Sequence, residues 1–190
     1  MEENLRVRLT KQALQESLLQ LMEQKHVDRI TVKELCENAH INRGTFYLHY
    51  TAPREILTEI EEELFEKYSA LVAGAWQTFP LSPDSFSTLY DCLLEDRKML
   101  TLILGPNGDP GFFNTQCAKA KPVVLSKWKE EFPNYPKEHL QFLFTFLING
   151  SSSLMIEWLN RTQTEFLSPE EFSKRLTLLG HYCLMALKEF

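Results

Sequence analysis

The chain has 190 residues, of which 44% are apolar and 24% are charged. These ordinary values argue against a disordered or fibrous chain. No stretch reaches the roughly 18 uninterrupted apolar residues of a membrane span, and the opening residues MEENLRVRLT lack the apolar core of a secretory signal. The four cysteines lie far apart without a C-x-x-C pair, as is typical of free thiols in a reducing compartment. We therefore predict a cytoplasmic protein.

The formal net charge of −6 is distributed unevenly along the chain. Residues 1–54 carry eight Lys or Arg and seven acidic side chains, whereas residues 55–190 carry twelve basic and nineteen acidic ones. For a polyanionic partner, the charge on the docking face matters more than the charge of the whole chain. A near-neutral amino-terminal part on an acidic body permits DNA binding through that part alone.

Helical periodicity predominates from the start of the chain. Leu14, Leu18 and Leu21 recur at i, i+4 and i+7, which predicts a first helix capped by Thr10 and ending near Lys25.

Three further helices are predicted from capping residues. The sequence T-V-K-E from Thr31 is a capping box that begins a second helix. Asn42 can cap a short third helix that ends at Tyr50, and Thr51 can cap a long fourth helix that runs into the low seventies. The acidic residues of that helix (Glu59, Glu61, Glu62, Glu63 and Glu66) are interpreted as a solvated face.

The rest of the chain is also predicted to be helical, with no alternating strand pattern. The predicted elements are a helix opening at Pro80–Asp84, a short apolar segment at Arg97–Leu104, a turn at Gly105–Gly111, a helix over Phe112–Phe132 bent or broken near Pro122, an apolar helix over residues 138–160 and a last helix whose capping box is Ser168–Glu171. We predict an all-α fold of about nine helices.

Residues 31–50 carry the strongest functional signal. Two short helices joined by a tight turn have helix-turn-helix geometry. Phe46 is the predicted core anchor of the second of these helices, whereas Arg43, Thr45, Tyr47 and His49 are predicted to point outward.

The outward residues suit a DNA duplex. Arg43 can donate two hydrogen bonds to guanine, and Thr45 can offer a hydroxyl to phosphate or a methyl to thymine. Tyr47 and His49 can donate to phosphate. Gly44 removes a side chain where a phosphate or a base could come close.

The segment from Thr10 to Leu57 resembles the DNA-binding domain of the TetR/AcrR family of bacterial transcriptional regulators. The resemblance rests on the patterns I-T-V-x-E-L and x-R-G-T-F-Y-x-H-Y. It implies a helix-turn-helix DNA-binding domain of three helices (residues 1–52), followed by a helical ligand-binding and dimerisation domain (residues 53–190). It also implies a homodimer, in which the last two long helices of each subunit form a four-helix bundle and the middle helices hold an effector pocket. The residues that we expect to contact operator DNA are Thr31, Lys33, Asn42, Arg43, Gly44, Thr45, Tyr47, His49 and Arg54.

The sequence departs from the family pattern at two places. Many members have glycine in the turn, where this chain has His40, so the turn is either strained or built differently. Members also carry a lysine just after the recognition helix. This chain has Thr51 and Pro53 there, which leaves Arg54 as the candidate for a phosphate contact.

A second resemblance lies further along the chain. The sequence L-I-L-G-P-N-G-D-P-G-F (Leu102–Phe112) looks like the motif of the Firmicutes-type TetR carboxyl-terminal domain, a subgroup that includes regulators of dihydroxyacetone use.

A partner subunit is also indicated by the last helix, whose apolar arc is wider than the roughly 100° needed against one core. Together with the apolar run at 138–160 it can form a twofold interface. The residues predicted for that interface are Leu154, Trp158, Leu176, Leu179, Cys183 and Leu187.

The sequence is therefore best interpreted as a dimeric, effector-responsive repressor that binds a near-palindromic operator. An alternative is an activator that works through a protein coactivator docked on the carboxyl-terminal domain. A helical enzyme or carrier with a vestigial DNA-binding domain is a third reading that no sequence feature recommends. We predict no enzymatic activity, cofactor, metal or membrane contact, and the sequence leaves the effector and its pocket unassigned.

Overall fold

The computed structural model describes residues 5–77, 86–109, 111–160 and 167–186. Within them the chain forms nine α-helices and no strand, which confirms the predicted all-α fold. The elements are α1 (Leu5–Met22), a 3₁₀ turn (Val27–Arg29), α2 (Val32–Asn38), α3 (Arg43–Tyr47), α4 (Pro53–Gln77), α5 (Ser87–Glu95), α6 (Arg97–Ile103), α7 (Phe112–Glu131), α8 (Lys137–Asn160) and α9 (Pro169–Met185).

The first helix is longer than predicted at its amino end. α1 is already helical at Leu5, so Thr10 lies inside it, and the Thr10 hydroxyl donates to the Arg6 carbonyl oxygen at 2.9 Å. The prediction of Thr10 as a cap was wrong because a threonine hydroxyl inside a helix can bond the carbonyl four residues earlier.

The third helix is shorter than predicted. α3 ends at Tyr47 rather than at Tyr50, because the amides of Leu48 and His49 donate to carbonyls three residues earlier (Thr45 and Phe46). This tightening is common in the last turn of a helix.

Three predictions for the chain after α4 have different outcomes. The predicted helix start at Pro80–Asp84 lies outside the described residues. α7 runs past Pro122 as one helix, so the chain is not broken there. α9 begins as predicted, with the Ser168 hydroxyl accepting from the Glu171 amide at 3.2 Å and Pro169 in the first turn.

The chain divides into two compact units. The first comprises the described residues through Phe65 together with Leu102–Phe112, and the second the described parts of Glu66–Thr101 and Phe113–Phe190. The core of the first unit consists of side chains from α1, α2, α3 and α4. Its fully buried members include Leu14, Leu18, Met22, Leu35, Phe46, Ile56 and Leu57.

Aromatic side chains form much of the core of the second unit. The rings of Trp158 and Phe172 stack with centroids 4.6 Å apart, and Tyr90 meets Phe172 edge-on at 5.2 Å. All three are buried, so α5, α8 and α9 meet at this cluster.

The helix α8 has a strongly apolar composition. Among the described residues it is the one helix long and apolar enough to cross a membrane, with a mean hydropathy of 1.3 over an 18-residue window that is 33% buried. Asn149 and the serines at 151–153 interrupt its apolar run. Only its length and composition resemble those of a membrane span.

Candidate nucleic-acid interface

The start of α2 is fixed by the predicted capping box. The Glu34 amide donates to the Thr31 hydroxyl oxygen at 3.2 Å, and the Thr31 amide donates to a Glu34 carboxylate oxygen at 3.0 Å. Lys25 donates to the other Glu34 oxygen at 2.5 Å. Hydrogen bonds from Lys25 and Thr31 lower the pKa of Glu34 from 4.5 to about 2. The carboxylate that caps α2 is therefore charged throughout the physiological pH range.

The turn between α2 and α3 is left-handed at His40. This residue has φ 54°, the one positive φ at a non-glycine position among the described residues. The His40 amide donates to Glu37 O at 3.3 Å and the Ile41 amide to Cys36 O at 2.9 Å, the bonding pattern of a Schellman motif. Of the two alternatives left by the sequence, the structure thus shows the strained one.

Asn42 caps α3 as predicted. Its side-chain oxygen accepts from the Gly44 amide at 2.7 Å. A Cβ added to Gly44 would lie 3.2 Å from that same oxygen, a tight contact that the cap would have to accommodate. Phe46 is fully buried and anchors the five-residue helix against the core.

The predicted polar edge of α3 lies on the outside of the unit. Arg43 and Gly44 are exposed, Tyr47 is 61% exposed, and Thr45 and His49 are half-buried. Within the described parts of the chain, Arg43 has no ion-pair partner. The side chains that we predicted to meet DNA are thus presented to solvent around a buried anchor.

Two predicted positions lie at the start of α2. Thr31 and Lys33 are both exposed. Lys33 lies 3.9 Å from a Glu37 carboxylate oxygen, a loose contact between two exposed side chains. Such pairs contribute little to stability, so the ammonium of Lys33 remains available to an anion.

Sequence reasoning missed one residue on this surface. Leu48 follows α3 directly and is 79% exposed, more than any other large apolar side chain among the described residues. It lies four positions after Gly44 and so falls on the side of the helix opposite Phe46. The four-residue spacing from Gly44 is the sequence signal that could have predicted the exposure of Leu48.

The region after α3 is engaged within the protein. Arg54 lies 2.6 Å from Asp109 and 3.3 Å from Asp28, so its predicted role at a phosphate competes with two carboxylates. The Thr51 amide donates to Glu55 at 2.7 Å, and Pro53 is buried. These positions therefore hold the start of α4.

The residues predicted for a subunit interface have different environments in the second unit. Leu154 and Leu179 are exposed and Cys183 is half-buried. Trp158 and Leu176 are buried inside the unit. Leu187 lies outside the described residues. Further large apolar side chains are exposed on α8 and α9: Phe142, Phe146, Leu178 and Tyr182.

The second unit also carries a cleft of about 680 Å³ lined by side chains of α7 and α8. This volume is in the range of small-molecule sites. Leu125 and Leu140 contribute apolar surface, and Lys121, Lys129 and Lys137 contribute positive charge. Glu130 is the one acidic residue of this lining, so the lining keeps an excess of positive charge, which suits a small anion better than a cation.

The two short helices α2 and α3 are both capped and are joined by a tight turn, and α3 exposes a polar edge around the buried Phe46. This arrangement defines a helix-turn-helix protein. The family can be stated as well. A family model described as "Transcriptional regulator C-terminal region" matches residues 82–181, more than half of the chain. The chain belongs to the TetR family of transcriptional regulators.

The sequence is also similar to that of an individual transcriptional regulator. The HTH-type transcriptional regulator YxbF of Bacillus subtilis (strain 168) is 34% identical over 172 residues, which are 86% of this chain and 42% of that protein. The chain thus spans less than half the length of this relative.

Two solved structures share the fold. A TetR transcriptional regulator from Streptococcus agalactiae 2603V has a TM-score of 0.65 at 22% identity, over 92% of this chain and 95% of that one. The dihydroxyacetone kinase operon activator DhaS has a TM-score of 0.61 at 19% identity, over 95% and 97% respectively.

Proposed function

We propose that the protein is a sequence-specific DNA-binding regulator that acts in the cytoplasm as a homodimer. The observation that carries the proposal is the exposed edge of α3, where Arg43 and Tyr47 stand outside a fully buried Phe46. A helix that packs one face against the core and exposes the other to solvent can enter the major groove.

The chemistry of this edge assigns roles to its residues. Arg43 donates two hydrogen bonds to guanine O6 and N7 and thereby reads sequence. Tyr47, His49 and Lys33 donate to phosphate oxygens and set the register of the protein on the duplex. Thr31 can join them only if its hydroxyl turns away from the Glu34 carboxylate, to which it donates at 2.7 Å. Phosphate contacts of this kind make the affinity fall as the salt concentration rises.

The dimer is proposed from apolar side chains left exposed on α8 and α9. Phe142 is 78% exposed, Tyr182 is 64% exposed and Leu179 is 55% exposed. Monomeric proteins rarely expose contiguous apolar patches of such side chains. In an isologous interface the patch on each subunit would be covered by the same patch on the other. Two recognition helices about 34–36 Å apart would then read a near-palindromic site.

We propose repression as the mode of action, with relief by an effector bound to the second unit. An effector that favours a conformer with the wrong spacing between the two α3 helices weakens operator binding, and a tenfold loss needs about 1.4 kcal/mol of differential binding. The cleft lined by α7 and α8 is the site to test first, by thermal-shift screening with small anions. Deletion of the gene would raise transcription from the operator, whereas a fall would indicate an activator.

The experiment that tests DNA binding uses the full chain and a random DNA pool. The wild-type protein is expected to enrich an inverted repeat, and Arg43→Ala is expected to lose at least tenfold in affinity for it, since a bidentate base contact contributes about 1–3 kcal/mol. Lys127→Ala, which removes one exposed cation from the second unit, is the control. No enrichment by the wild-type protein would refute the proposal.

A further inference from the structure

The segment Leu102–Phe112 comprises the last two residues of α6, the turn after it and the first residue of α7. Its contacts place it in the first unit with α1, α2 and α3. It contains the glycine- and proline-rich turn that the sequence singles out. The DNA contacts proposed above give this segment no role.

Asn107 joins the segment to the connection between α1 and α2. Its side-chain amide donates to the Met22 carbonyl oxygen at 2.9 Å, and its backbone oxygen accepts from the Val27 amide at 3.0 Å. Met22 is the last residue of α1, where helix carbonyls lack partners within the helix. Both contacted residues are buried. Asn107 thus provides hydrogen-bond partners for two backbone groups of this connection, the Met22 carbonyl and the Val27 amide.

Asp109 joins the same segment to the start of α4. Its carboxylate lies 2.6 Å from the Arg54 guanidinium, which also lies 3.3 Å from the carboxylate of Asp28. Asp28 belongs to the 3₁₀ turn that precedes α2, and Arg54 to the first turn of α4. The ion pairs therefore connect a residue before the helix-turn-helix with a residue after it.

The shape of the segment depends on Gly108. A Cβ at this position would lie 2.0 Å from the backbone oxygen of Ile103, a distance that no relaxed structure allows. The Asp109 amide donates to that same oxygen at 2.9 Å, and Ile103 is fully buried. The close approach fixes where the side chains of Asn107 and Asp109 point.

We propose that Asn107 and Asp109 are positioning residues for operator binding, an inference that rests on the proposed function. α2 and α3 have seven and five residues, too few to form stable helices alone, so their orientation depends on what holds their ends. The segment Leu102–Phe112 contacts both the connection that precedes α2 and the start of α4, which follows α3. It therefore sets the angle at which Arg43 meets the groove without touching DNA.

The first test replaces Asn107 by aspartate in the full chain. Asn107→Asp keeps the size of the side chain but turns the donor that faces the Met22 carbonyl into a carboxylate. Affinity for the DNA enriched by the wild-type protein is expected to fall about tenfold, as the loss of a half-buried hydrogen bond suggests. Affinity for unrelated DNA is expected to match that of Asn134→Asp, which makes the same charge change at an exposed loop position.

The second test uses the ion pair and a rescue. Asp109→Asn removes one of the two carboxylates that pair with the Arg54 guanidinium, so binding to unrelated DNA is expected to strengthen while the ratio of operator to unrelated affinity falls. Asp109→Glu keeps a carboxylate and is expected to restore that ratio. Circular dichroism at the assay temperature identifies the variants that stay folded, and a merely structural role would lower both affinities together with the folded fraction.

The outcomes separate the two proposals. Suppose that Asn107→Asp and Asp109→Asn both keep the ratio of operator to unrelated affinity within twofold of the ratio for Asn134→Asp, while Arg43→Ala weakens operator binding at least tenfold. The positioning role is then wrong and the proposed function stands. If the wild-type protein enriches no DNA, the proposed function fails, and the positioning role fails with it.

Discussion

The ammonium of Lys25 lies 2.5 Å from the Glu34 carboxylate, and this contact joins the start of the α1–α2 connection to the cap of the first helix of the helix-turn-helix. The capping box and the ion pair share one carboxylate, because Glu34 also accepts from Thr31. Protonation of Glu34 would therefore weaken two contacts together.

This arrangement makes the first unit sensitive to acid. The pKa of Glu34 is lowered from 4.5 to about 2, first by Lys25 and then by Thr31. A depressed pKa contributes stability that is fully present above the unfolded value and is lost as the pH falls through the folded value. We expect NMR titration of the Glu34 carboxyl carbon to show a midpoint near 2, and a midpoint near 4.5 would contradict this account.

Replacing Glu34 provides the matching stability measurement. Glu34→Gln is expected to lower the melting temperature at neutral pH. The difference from the wild-type melting temperature should disappear as the pH approaches 2, because the wild-type carboxyl also becomes neutral there. Glu131→Gln, at an exposed position at the end of α7, controls for the loss of one negative charge.

The strained turn predicts a stabilising substitution. His40 is exposed and has φ 54°, a conformation that glycine adopts without a Cβ clash. His40→Gly is expected to raise the free energy of unfolding by about 1 kcal/mol. His40→Ala retains the Cβ and should give no gain. Urea unfolding of the three proteins checks this, and equal stability of His40→Gly and His40→Ala would show that the backbone conformation is not the cause.

The exposed leucine beside α3 predicts a contact with thymine. Leu48 is 79% exposed, and an apolar side chain in the major groove can pack on the thymine methyl group. Replacing one thymine of the operator by deoxyuridine is expected to cost the wild-type protein about 0.8 kcal/mol, the value of one buried methyl-sized group. Leu48→Ala should be insensitive to that replacement. If both proteins respond alike, Leu48 does not read the methyl group.

The proposed dimer predicts the effect of a charge on α9. Leu179→Glu places a carboxylate in the apolar surface of both subunits, so each dimer gains two unpaired charges. We expect the dimer to dissociate at least a hundredfold more readily in analytical ultracentrifugation. Leu9→Glu is a close control, since both leucines are 55% exposed and Leu9 lies on α1. A dimer undisturbed by Leu179→Glu would place the interface elsewhere.

Local signals in the sequence predicted much of the fold and of the candidate site. The capping box at Thr31, the caps at Asn42 and Ser168 and the turn that begins at Gly105 each depend on residues within a few positions of one another, and the structure shows them. The reciprocal bond of the capping box predicted at Ser168 is not formed. The exposure of Arg43 and the burial of Phe46 follow from the helical period around one anchor.

Contacts between distant residues could not be predicted in this way. The pairing of Arg54 with Asp109 spans 55 positions and leaves no periodic pattern. The same holds for Glu59, which we interpreted as solvated but which is half-buried and lies 2.8 Å from Lys11 of α1. Glu61 is also buried, so that interpretation was wrong for both residues. Helix periodicity identifies an outward face but not the helix that covers it.

The contact between Arg43 and guanine is the most direct test of the account. Operator DNA in which the guanine of each half-site is replaced by 7-deazaguanine lacks one of the two acceptors of the bidentate contact. The wild-type protein is predicted to bind this DNA at least tenfold more weakly than unmodified operator, whereas Arg43→Ala should bind both equally. If the two proteins lose the same affinity, or if neither responds, α3 does not read the duplex through Arg43.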